Sequence, residues 1–269
     1  MPRILPRVVL VDDDPAIRRL VSMVLEHEPL DLVLCASVAQ ARTALRAGPV
    51  RLLLTDLMMP GETGHDLLLQ LREDASLPHP AHVAVFSAGL DAATQQRLQG
   101  LGVWRQLSKP VAMGVLLATV RDALTGLLPA APEEPAELEQ QAQPVPPSLP
   151  PSALAQRQHA IATYFAGDAA LFDIYRSSCA PVFADDIAQG QAALTQGDAA
   201  ALRRLGHSLK SVLRTLGENA AADAAQALDT AAQAADVASP VQALRMLSPA
   251  WEGLRQQLNE VVRSLQSRD

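Results

Sequence analysis

The stretch Leu52-Leu53-Leu54-Thr55-Asp56, followed by Leu57-Met58-Met59-Pro60-Gly61, decides the reading of the first half of this chain. An unbroken apolar run of this length reads as a strand buried on both faces of a parallel sheet. The run stops at a carboxylate, and Pro60-Gly61 then turn the chain. In open parallel sheets, chemistry sits just beyond the carboxyl ends of the strands. Asp56 therefore stands where a reactive carboxylate belongs. A strand-end aspartate that merely caps a loop fits this stretch equally well.

Working outward, Arg7 to Val11 is a short β-branched run that ends in Asp12-Asp13-Asp14, with Pro15 at a first helical turn. Leu32 to Cys35, His82 to Ser87 and Val103 to Leu107 read as further strands. Helical spacing recurs over Ile17 to Leu25, Ala39 to Ala47, Asp66 to Arg72, Asp91 to Gln99 and Val111 to Leu124. Five strands alternating with five helices predict a doubly wound, five-stranded parallel sheet. Polar groups end four of the strands: Asp12 and Asp13, Asp56, Ser87, and Lys109 ahead of Pro110. All are expected on one face of the sheet.

Clustered carboxylates repel one another unless a cation sits among them. A hard ion such as Mg²⁺ takes oxygen ligands and keeps some of its waters. Asp13 and Asp56 could bind it directly and Asp12 through water. A carboxylate beside that ion can take up a phosphoryl group as an aspartyl phosphate. Lys109 and Ser87 would then meet the charge on the transferring oxygens. The plainer alternatives are a solvated lysine and a serine that caps the next helix.

The chain has 269 residues, enough for two ordinary domains, and a net charge of −7, which argues against a general nucleic-acid binder. Its two cysteines, Cys35 and Cys179, show no metal or disulfide spacing, as suits a reducing compartment. No apolar run suggests a signal peptide or a membrane span, so a soluble, cytoplasmic protein is expected. A segment rich in Pro, Gln and Ala over 127–151 reads as a semi-rigid linker, with room for a short helix over Ala136 to Ala142. It separates a first domain, 5–126, from a second, 152–266.

The second domain is helical throughout: Leu154 to Phe165, a helix capped by Asp168 that runs to about Ser178, a kink or restart at Pro181 leading to Thr195, Ala199 to Leu216, Asn219 to Ala235, and Pro240 to Leu265 with a bend at Pro249. On a wheel of about 100° per residue, Leu202, Leu205, Leu209, Val212, Leu213 and Leu216 form one stripe. His207 lies almost opposite it, among Arg203, Arg204, Lys210, Ser211 and Arg214. The expectation is an imidazole exposed to water on a cationic face. A neutral imidazole is a nucleophile near neutral pH, and the cations would hold a phosphoryl group. An ordinary exposed histidine is the plainer reading.

Val11-Asp12-Asp13, Asp56 with Met59-Pro60, Ser87-Ala88 and Lys109-Pro110 resemble the receiver domain of two-component response regulators. The resemblance implies a flavodoxin-like fold and Asp56 as phospho-acceptor. It also implies Asp12, Asp13 and the Met58 backbone carbonyl at a magnesium ion, and Ser87 and Lys109 on the phosphoryl group. Gln106 stands where the family usually has an aromatic residue, with Trp104 two residues earlier. His207-Ser208-Leu209-Lys210-Ser211, then Leu216-Gly217, is similar to the histidine-containing phosphotransfer (HPt) domain, a helical bundle, with Ser211 in place of the usual glycine. That resemblance implies that His207 shuttles phosphoryl groups, with Lys210 beside it.

Together these readings describe a phosphorelay protein with partners in a sensor histidine kinase and a receiver, in cis or in trans. No Walker A loop or glycine-rich ATP lid is present, so no ATP-dependent kinase activity is expected, while receiver self-dephosphorylation stays open. The competing reading is a receiver-gated interaction or dimerisation module in which the helical domain transfers nothing.

Overall fold

The computed structural model describes residues 5–88, 92–125, 153–235 and 239–266. The linker over 127–151, with its expected helix over Ala136 to Ala142, lies outside the described residues.

In the first half, β1 (Arg7–Val11), β2 (Asp31–Cys35), β3 (Leu52–Thr55), β4 (His82–Ser87) and β5 (Arg105–Ser108) alternate with α1 (Pro15–Val24), α2 (Val38–Arg46), α3 (Gly64–Glu73), α4 (Ala92–Leu98) and α5 (Met113–Thr125). The strands form one parallel sheet in the order β2-β1-β3-β4-β5. The expected five-stranded, doubly wound sheet is present. β5 begins two residues later than the sequence suggested, and β3 ends at Thr55, which leaves Asp56 just outside the ladder.

Alternation along each strand explains the two layers. Val8, Leu10, Leu52 and Leu54 face the core under α1 and α5. Val9, Val11 and Leu53 face the core under α2, α3 and α4. Each fully buried leucine or valine contributes about 1.5–3 kcal/mol, so a one-residue slip that exchanged the faces would be costly. β1 and β3 are neighbours although β2 intervenes in sequence, so the topological switch point falls between the carboxyl ends of β1 and β3. Those two ends carry Asp12 and Asp56.

The second half comprises α6 (Ala153–Tyr164), α7 (Ala169–Gln196), α8 (Ala199–Thr215), α9 (Asn219–Ala235) and α10 (Pro240–Gln266). Asp168 and Asp198 cap α7 and α8, each accepting from a backbone amide three residues on. α8 packs on α9, and α7 and α10 complete the bundle. One expectation is corrected and one is met. Pro181 does not restart a helix, since α7 runs continuously through it, while α10 runs through Pro249 as the single helix expected from Pro240 onward. A proline removes one helical donor, but Tyr175, Cys179 and Phe183 around Pro181 and Leu247 and Trp251 around Pro249 are buried. Their packing holds the helical path against the local preference.

The halves also touch. α1 packs against α7, and a single apolar cluster joins α1 and α5 to the helical bundle. Among the described residues, no helix is long and apolar enough to cross a membrane.

Candidate functional site

The first part of the site forms where β1, β3, β4 and β5 end. Asp12, Asp13 and Asp56 bring carboxylate oxygens within 4.8 Å of one another. Lys109 is drawn in by the parallel register, which pairs Ser87 with Ser108. Its Nζ donates to Asp12 Oδ2 at 2.5 Å and to Asp56 Oδ2 at 2.9 Å. The ammonium also lies 4.9 Å from the centre of the Phe86 ring. The amides of Leu57 and Met58 donate to Asp56 Oδ1 at 2.6 and 3.2 Å. The loop after Asp56 folds back closely enough that a Cβ on Gly64 would lie 1.8 Å from the Asp56 carbonyl oxygen. Only glycine fits there, and the Thr63–Asp66 capping box then starts α3.

The electrostatics follow from burial. Removal from water pushes Asp12 up to about 7 and Asp13 up to about 6, and the Asp56 charge adds to both. Burial is the largest effect on Asp56, but the Lys109 ammonium together with hydrogen bonds from Ser87 and the Met58 amide outweighs it and holds this carboxyl below the usual range. Burial works against the Lys109 charge, yet Asp12 and Asp56 raise that group above the ordinary lysine range. One ammonium thus serves three carboxyls. The leftover acid and the all-oxygen donor set suit a hard divalent cation.

The sequence-predicted residues Asp12, Asp13, Asp56, Ser87 and Lys109 all meet at this end of the sheet. Met58 follows in the adjoining loop. Gln106 is exposed, and Trp104 packs its ring 4.6 Å from that of His82 at the opposite end of β5.

The second part is centred on His207, and here the exposed imidazole expected from the wheel is corrected: only 7 % of His207 is accessible. The leucine stripe is where it was expected, but the opposite face of α8 is covered as well. A Cβ on Gly206 would lie 2.8 Å from the Ala225 carbonyl oxygen, so α8 and α9 cross almost backbone to backbone. That crossing sets Asp229 beside His207, with Asp229 Oδ2 3.4 Å from His207 Nδ1 and 3.8 Å from Lys210 Nζ. Burial raises the Asp229 carboxyl, but His207, Lys210 and Arg203 together bring it below its ordinary value. An ionised carboxylate only accepts, so Nδ1 is the nitrogen that carries the proton toward Asp229, and in a neutral ring the lone pair is on Nε2. Nε2 is buried and has no hydrogen-bond partner within the protein. Asp229 was not singled out from sequence; a glycine directly before the histidine was the one available sign of a close helix crossing.

The two parts share one cavity of about 440 Å³. Met58, Ser87 and Thr94 line it from the sheet side, and His207, Lys210 and Arg203 from the helical side. Ser87 Oγ and His207 Nε2 are both buried, and the Ser87 hydroxyl helps hold the Asp56 carboxyl down.

A 2-1-3-4-5 parallel sheet with acids and a lysine at its switch point, joined to a helical bundle with a histidine on an inner helix, defines the class as receiver plus phosphotransfer bundle. The family models agree: residues 8–121 match the response regulator receiver domain, and residues 181–264 match the Hpt domain. The chain thus joins a receiver domain to an Hpt domain. It is 34 % identical over 134 residues to the DNA-binding response regulator MtrA of Mycolicibacterium smegmatis, covering 49 % of this chain and 54 % of that protein. It is 32 % identical over 131 residues to the response regulator protein PilR of Pseudomonas aeruginosa, covering 49 % and 29 %. The chain thus spans about half the length of MtrA and less of PilR. Among solved structures, it resembles the signal receiver domain of a putative Luxo repressor protein from Vibrio parahaemolyticus (TM-score 0.42, 24 % identity, 46 % of this chain and 92 % of that one). It also resembles a sensor protein from Polaromonas sp. JS666 (TM-score 0.40, 30 % identity, 47 % and 100 %).

Proposed function

We propose that this chain is a two-component phosphorelay protein in which Asp56 accepts a phosphoryl group and His207 exchanges it with a receiver aspartate, that of the same molecule included. The observation that carries this reading is the shared cavity, into which Ser87 from the receiver and His207 from the Hpt domain both turn buried polar groups.

The transfer is a displacement at phosphorus. The bond from Asp56 oxygen to phosphorus breaks as a bond from His207 Nε2 to phosphorus forms, and the carboxylate leaves as an anion held by Lys109. His207 becomes cationic as it loses its lone pair to phosphorus. Asp229 keeps the proton on Nδ1 and offsets the new charge. Lys210, Arg203 and Ser87 line the cavity, where they would meet the charge on the transferring oxygens. Reversal gives loading of the receiver from the histidine. Asp12, Asp13, Asp56 and the Met58 carbonyl would hold magnesium, which when bound neutralises charge on the phosphoryl oxygens.

The phosphoryl group comes from a sensor histidine kinase acting in trans, and the location is the cytoplasm. The test is to load the receiver with radiolabelled phosphoryl in wild type and in a His207→Gln variant. Wild type should acquire acid-labile, base-stable label that the variant lacks. Identical labelling of the two would mean that the helical domain only binds.

A further inference from the structure

The Ser208 hydroxyl donates to Asp14 Oδ2, across 194 residues of sequence and between the two domains. Ser208 follows the histidine directly. Asp14 follows the acidic pair directly, and its other oxygen, Oδ1, caps α1 by accepting from the amides of Ala16 and Ile17 at 2.7 and 3.4 Å. One carboxylate therefore fixes the start of α1 and grips the helix that carries His207. Beside it, α1 packs against α7.

We propose that the Ser208–Asp14 hydrogen bond is the specificity-determining contact that seats α8 on the receiver in the register that brings His207 to the same cavity as Met58 and Ser87. This rests on the relay reading above. A single bond of this kind decides register because its neighbours cannot replace it. The charge of Asp14 also reaches Tyr175, Cys179 and Asp186 on α7, none of which is a cation. Without the hydroxyl, Asp14 would face an apolar and acidic wall, an arrangement that costs free energy. A receiver with an apolar or basic residue after its acidic pair would leave Ser208 without this acceptor. Selectivity then comes from the unmet polar group as much as from the contact made.

The side chains can be exchanged. Ser208→Asp sets two carboxylates against each other. Asp14→Ser keeps a competent helix cap. The double variant Asp14→Ser/Ser208→Asp restores one donor and one acceptor in reversed order. Each full-length chain is loaded at the receiver with a small phosphodonor, phosphoramidate. Appearance of label on His207 is followed, together with amide exchange over α1 and residues 183–187. Ser208→Asp should transfer roughly tenfold or more slowly than wild type, the loss of a charge-assisted bond, and should lose exchange protection on both segments. The double variant should recover both to within about threefold. Transfer by Ser208→Asp at the wild-type rate, or a double variant no faster than Ser208→Asp, would overturn the assignment. Failure of the relay itself has a different signature: no label on His207 in any chain, with the exchange pattern unchanged.

Discussion

His207 Nδ1 and Asp229 Oδ2 lie 3.4 Å apart across the crossing of α8 and α9. The pair fixes which ring nitrogen carries the proton in a neutral ring, and so which one the proposed relay would use as nucleophile. Replacing Asp229 with asparagine keeps the shape but removes the charge that favours the proton on Nδ1. Loss of a hydrogen bond to a charged group is worth about 1.5–3 kcal/mol, so phosphoryl loading at His207 should slow roughly 10- to 100-fold. Rapid-quench measurement of His207 labelling checks this, and an unchanged rate would remove Asp229 from the mechanism.

Gly206 is what allows that pair to exist. Gly206→Ala places a methyl 2.8 Å from the Ala225 carbonyl oxygen and 2.9 Å from the Asp229 amide nitrogen. The helices must move apart, at a cost of about 1–3 kcal/mol. Denaturant unfolding should register the loss, and the labelling rate should fall with it because Asp229 recedes from the ring.

Lys109 is the internal counter-ion of the acidic cluster. Lys109→Ala leaves Asp12 and Asp56 buried without their partner, which should cost about 3–5 kcal/mol in metal-free buffer. A divalent cation among the same carboxylates should return much of it. Thermal unfolding with EDTA and with Mg²⁺ gives the comparison: a larger Mg²⁺-induced rise in Tm for the variant than for wild type is expected.

Protons and the metal compete for the same oxygens. Asp12 at about 7 and Asp13 at about 6 are both raised, by burial first. An acid raised in the folded state keeps its proton after the unfolded chain has lost one. The metal-free protein should therefore lose stability as pH climbs from about 4 to about 7. For the same reason, Mg²⁺ affinity should strengthen by at least about tenfold between pH 5 and 8 and then level off. Calorimetric titration across that range tests the slope, and a flat profile would contradict the shared site.

Asp186 on α7 is pushed up to about 8, by burial first and then by the charges of Asp14 and Asp185. The sign is again that of a raised acid, so the contact between the halves should loosen as pH rises toward 8. Asp186→Asn should hold the halves together at pH 8 and flatten the dependence. Energy transfer between dyes on the two domains provides the readout.

The sheet was legible because each strand announces itself over a few residues: Leu52 to Leu54 can only be a run buried on both sides, and Asp12, Asp56 and Lys109 follow from where such runs stop. His207 was legible from its motif. Its burial was not, because the helical wheel of α8 records a single stripe, while α9 and the receiver cover the other face through contacts far apart in sequence. Asp229 was hidden for the same reason, as one of two acids on an alanine-rich helix whose neighbour is fixed by the Gly206 crossing. Pro181 misled because a local rule about helix breaking gave way to the packing of Tyr175, Cys179 and Phe183.

The helical half roofs the end of the sheet where Asp56 resides. On the relay reading proposed above, charging from solution and delivery to His207 make opposite demands on that roof: the first is eased when the halves separate, the second when they meet.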